Sequence, residues 1–116
     1  MWSAFLLLQI SASAHHSFAA EFDAAKPVSL TGPVTRIEWT NPHARIYVDV
    51  TDHNGVATSW NVELGTPNDL MRGGWLRDSV TSGDSVTVLG YAAKDGSHLV
   101  KARSVTLGNG RTVFAR

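Results

Sequence analysis

From Val28 onward, apolar and polar residues alternate in short runs rich in β-branched side chains, separated by turn residues. That period of two is the mark of half-buried β-strands. "VSLTGPVTRIEW" (residues 28–39) predicts a first strand, broken at Gly32-Pro33, where proline cannot donate to a ladder and an edge or bulge is expected. "ARIYVDV" predicts a second, with Ile46, Val48 and Val50 on one face and Arg45, Tyr47 and Asp49 on the other. "DHNG" supplies a turn into "ATSWNVEL", a third strand with Trp60, Val62 and Leu64 inward and Asn61 and Glu63 on the wet side. "TPNDLMRGGW" changes period: Thr66 or Asn68 caps a short helix that Gly73 and Gly74 end. "DSVTVLGYAA" and "HLVKARSVTL" form a fourth and fifth strand around a "KDGS" hairpin turn, and "GNG" turns into a short terminal "RTVF". Three strands, one short helix, then two strands is the element order of an OB-like barrel, so the expected fold is mainly all-β, a five-stranded OB-like barrel with its helix between strands 3 and 4. A small open β-sandwich built from the same strands is the alternative.

The N-terminus follows another rule. "MWSAFLLLQI" is an apolar run, followed by small residues with Ala12 and Ala14 at the −3 and −1 positions of an A-x-A-like cut. Residues 1–14 are therefore expected to be a signal peptide, 15–27 an extended segment held by Phe18 and Phe22, and 28–116 the barrel domain. The run carries no Lys or Arg before it and is short for a signal, which suggests a start codon upstream of Met1. A bilayer span takes about 20 apolar residues, so the mature form is expected to have none. The expected location is periplasmic or secreted.

Composition narrows the partners. Ten Lys plus Arg balance ten Asp plus Glu, which argues against nucleic acid, whose binding draws on a basic excess and counterion release. The absence of Cys excludes disulfides, thiolate metal sites and Cys nucleophiles. No G-x-S-x-G, phosphate loop or zincin helix motif is present.

The stretches "AHHSFAAEFD", "EWTNPHARIYVDV", "WNVELGTPNDLMRGGW" and "GDSVTVLGYAAKDGS" resemble a family of small exported proteobacterial proteins catalogued as a domain of unknown function. The resemblance spans residues 14–114 and implies export and a small β-barrel; it implies no activity.

Cleavage after Ala14 would make His15 the mature N-terminus, offering its α-amine and Nδ1 as a chelating pair. His43, at the mouth of the second strand, would complete a histidine brace of three nitrogens, a donor set suited to Cu(II). Asp49 or Glu63 could orient an imidazole from behind, on a polar face shared with Tyr47. His16 offers a competing, incidental arrangement: a second-position histidine binds Cu(II) in almost any free terminus. In "EWTNPH", Trp39 is either a platform in a ligand rim with Asn41 as its polar contact or a plug over the barrel end. Glu63 with Asp49 or Glu38 would be a carboxylate pair, but such charges usually line a wet face. His53 and His98 read as ordinary surface residues. The sequence points to an exported binding module with copper at His15, His16 and His43. A metal-free OB-like module for a protein or small ligand is the alternative, and a copper-dependent oxidoreductase is a third class, for which no catalytic residue is assigned.

Overall fold

A computed structural model of the protein describes residues 18–115. The expected signal peptide, and with it His15 and His16, lies outside them. Residues 18–21 are helical, so the short helix after strand 3 is not alone as expected. The strands are β1 (Phe22–Glu38), β2 (Arg45–Thr51), β3 (Ala57–Glu63), β4 (Ser85–Ala93), β5 (Leu99–Leu107) and β6 (Thr112–Ala115). They form one six-stranded sheet in the order β3-β2-β1-β4-β5-β6.

β1 begins at Phe22, six residues before the expected start. "DAAK" shows no alternation because its residues leave the ladder: the register with β4 jumps between Phe22 and Pro27. Nor is the strand broken at Gly32-Pro33. It runs through, changing partner there: Pro27 to Pro33 pair with β4, while Val34 to Glu38 pair with β2 across an irregularity between Val34 and Arg36. Gly32 makes the exchange possible. A Cβ at that position would stand 1.9 Å from the Asp49 carbonyl oxygen, a backbone atom that cannot rotate away. Gly90, at the irregularity between β4 and β5, is under the same constraint, with the Lys101 carbonyl oxygen 2.2 Å from its would-be Cβ. Gly32→Ala is accordingly expected to cost about 1 to 3 kcal/mol, the range for inserting a methyl into a filled site. Urea denaturation measures it; a Gly32→Ala protein as stable as the parent would mean that β2 moves aside freely.

The sheet curls until β3 pairs in parallel with β5 through Asn61↔Leu99, Val62↔Val100 and Glu63↔Lys101. The closure is short and uneven, since the second half of β5 turns to β6 instead, pairing from Ser104 to Thr106. The fold is thus mainly β, as expected, with a sixth strand beyond the expected five.

Alternation settles the core. Val34, Ile46, Val48, Val62, Val86, Val88, Val100 and Val105 turn inward and are buried, while Trp60 is only half-buried at the margin. The helix Pro67–Arg72 starts where Thr66 Oγ1 accepts the Asp69 N–H at 3.1 Å and ends at Gly73, whose N–H donates to the Asp69 carbonyl. Leu70 from this helix and Trp75 just beyond it close one end of the core.

Candidate functional site

The polar face of β2, β3 and β5 carries the one buried charged side chain among the described residues. Glu63 stands opposite Val62 on its strand, as alternation requires, but only 6% of it is exposed. The expectation of a wet Glu63 fails because β3 is not an edge here: β2 lies on one side and β5 on the other. The register sets Arg45, Glu63 and Lys101 in one row.

Its carboxylate is divided between neighbours. Arg45 Nη2 donates to Oε1 at 3.0 Å, and Arg45 Nη1 donates to Asn61 Oδ1 at 3.1 Å. Lys101 Nζ lies 3.5 Å from Oε2 and donates to the Leu64 carbonyl at 3.0 Å. His43 Nδ1 lies 3.6 Å from Oε1, slightly beyond hydrogen-bond length and within ion-pair range when the imidazole is protonated. The placement of His43 follows from the backbone: Ala44 N–H donates to the Gly65 carbonyl and Leu64 N–H to the Ala44 carbonyl, continuing the β2–β3 ladder past both strand ends. His43 thereby sits half-buried at the mouth of β2 beside Glu63.

The other expected site residues separate from this group. Tyr47 donates its hydroxyl to Glu38 Oε1 at 2.8 Å, and Arg36 pairs with the other oxygen of Glu38 while its guanidinium lies 4.8 Å from the Tyr47 ring centre. The hydrogen bond from Arg36, reinforced by that from Tyr47, holds the Glu38 carboxyl below the usual range. The same bond to Glu38, with some burial, raises the Tyr47 phenol. The Asp49 side chain, across from Ser59, makes no hydrogen bond or ion pair with the described residues, so of the two carboxylates considered for orienting an imidazole it is Glu63 that stands near His43. Trp39 packs against the core and stacks on buried Trp75, ring centres 6.5 Å apart, the plug arrangement. Asn41 is exposed before a cis bond to Pro42. His53 is exposed in its turn, and His98 lies against Trp60, ring centres 4.9 Å apart.

Sequence reasoning missed Lys101. Its place on the face opposite Val100 and Ala102 is readable from "LVKAR", but its neighbour Glu63 is not, because the parallel β3–β5 pairing leaves no local signal.

Among the described residues no group of three or more His, Asp or Glu side chains is arranged to hold a metal; His43 and Glu63 bring one imidazole and one carboxylate to within 3.6 Å of each other. Among them, too, no helix is long and apolar enough to cross a membrane. No curated protein matches the chain. A family model matches residues 4–101, most of the chain and including the His43, Arg45, Glu63 and Lys101 row, and on that match the chain belongs to the family of unknown function DUF6152.

Proposed function

We propose that this protein is an exported, periplasmic or secreted binding module with an OB-like barrel, which holds Cu(II) between a mature N-terminus at His15 and the imidazole of His43. The barrel reading is supported by the cycle of pairings β1-β2-β3-β5-β4-β1. The copper reading rests on one observation: His43 turns Nδ1 toward the buried Glu63 carboxylate. At 3.6 Å the pair stands just outside hydrogen-bond length; a carboxylate that closed that gap would orient the ring for a metal held by its other nitrogen. Nε2 of His43 would then join the α-amine and Nδ1 of His15.

The test is electron paramagnetic resonance on the mature protein with one equivalent of Cu(II), its N-terminus verified by mass spectrometry. His43→Ala should remove one nitrogen coupling and weaken binding at least tenfold, and Glu63→Gln should weaken it by about ten- to a hundredfold. His16→Ala should leave the spectrum as it was. Nitrogen couplings indifferent to His43→Ala but lost in His16→Ala would identify an incidental terminal chelate and leave a metal-free module. A mature chain beginning at Ser17 or later would end the copper reading outright.

A further inference from the structure

We infer that the outer face of β1, β4 and β5 is a second binding site, independent of His43, for a free carboxylate with an apolar chain. The rows of this face are mostly hydroxyls. Thr31, Thr87, Thr106 and Thr112 stand in register across four strands, with Thr31 and Thr87 in contact through their hydroxyls at 3.0 Å. In the next row, Ser29, Leu89 and Ser104 are aligned, and Leu89 breaks the pattern: it is 46% exposed between two serines. It borders a groove of about 540 Å³, lined also by Pro27, Val28, Tyr91 and Arg103. That volume lies within the range of small-molecule sites, which are largely apolar with few polar groups. A second hollow of about 300 Å³ continues past Tyr91 and Arg103 and is walled by Phe18.

Charge selects the occupant. Arg103 is exposed and its side chain has no ion pair or hydrogen bond among the described residues, and no acidic residue lines either hollow. An unpaired guanidinium beside an apolar channel complements one anionic head, which it can clasp through two parallel N–H bonds, joined to an apolar chain lying along Leu89, Tyr91 and Pro27. A free carboxylate fits better than an anionic membrane surface. The site is concave, and the side-chain charge of the whole protein is balanced, which gives a membrane little to attract.

Decanoate, kept below its micelle-forming concentration, is the probe, read by NMR on the intact protein. It should shift the Leu89 methyl and Tyr91 ring signals saturably. Arg103→Ala should weaken decanoate about tenfold and leave the response to decanol unchanged, while Leu89→Ser should weaken both; both side chains are exposed, and an unaltered melting temperature checks the fold. His43→Ala should have no effect, so failure of the copper reading leaves this result standing. Equal affinity for decanoate and decanol, shifts located outside the groove, or binding to phosphatidylglycerol vesicles with none to free decanoate would each overturn the proposal.

Discussion

Glu63→Ala should lower the free energy of unfolding by about 3 to 5 kcal/mol, the cost of removing one partner from a buried ion pair. Three bases converge on this carboxylate, at 3.0 Å from Arg45, 3.5 Å from Lys101 and 3.6 Å from His43. The Lys101 side chain is only 16% exposed and that of Arg45 28%. Deleting the anion leaves two cations facing each other across β3 with little water to separate them. Arg45 keeps its bond to Asn61 and Lys101 its bond to the Leu64 carbonyl, so the loss belongs at the lower end of the range. Two further variants identify the cause. Glu63→Gln keeps the shape and an oxygen for Arg45 but removes the charge, and should fall between parent and Ala. Adding Lys101→Met to Glu63→Ala removes one stranded cation and should restore part of the stability, because an ion pair replaced on both sides costs less than one broken on one side. Urea denaturation followed by tryptophan fluorescence gives all three values. A loss below about 1 kcal/mol for Glu63→Ala would mean that the cluster is hydrated like a surface pair.

Glu63 also marks where the sequence stopped being legible. Local features were: alternation in "ARIYVDV" assigns Ile46 and Val48 to the core, and both are fully buried; Thr66 and Gly73 bound the helix as their cap chemistry requires. Each of these depends on neighbours within a few residues. Alternation likewise put Glu63 on the correct face, but whether that face is wet depends on β5, whose pairing partner on β3 lies 37 or more residues away along the chain, as the Lys101 to Leu64 bond shows. The same distance hid Lys101. The early start of β1 was illegible because "DAAK" bulges from the ladder, and the partner exchange at Gly32 was read as a break, since proline and glycine announce irregularity without saying which kind. The site divides in the same way. That a carboxylate would back His43 could be suggested from shared strand parity, while the diversion of Tyr47 to Glu38 depended on the stagger between β1 and β2, where Glu38 faces Arg45. His15, the terminal ligand proposed above, lies outside the described residues.

The residue after Glu63 gives the second large effect, and by the opposite mechanism. Leu64 is 1% exposed and belongs to the apolar cluster with Ile46, Val62, Leu70 and Trp75. Leu64→Ala should cost about 2 to 5 kcal/mol, from lost transfer free energy and from the cavity left where neighbours collapse only in part. Its backbone partners do not depend on the side chain: the N–H donates to the Ala44 carbonyl and the carbonyl accepts from Lys101. The row of charges on the other face should therefore survive, and the His43 ring signals in an NMR spectrum should stay in Leu64→Ala where they are in the parent, whereas in Glu63→Ala, which removes the carboxylate 3.6 Å from Nδ1, they should shift. Leu64→Met, which nearly conserves volume, should cost under about 1.5 kcal/mol. Stability lost without any change at His43 is the signature of a core residue lying back to back with a charged one. A loss below about half a kcal/mol, far under the range for a buried leucine, would mean that Leu64 and Glu63 have exchanged faces and that His43 stands over an apolar surface.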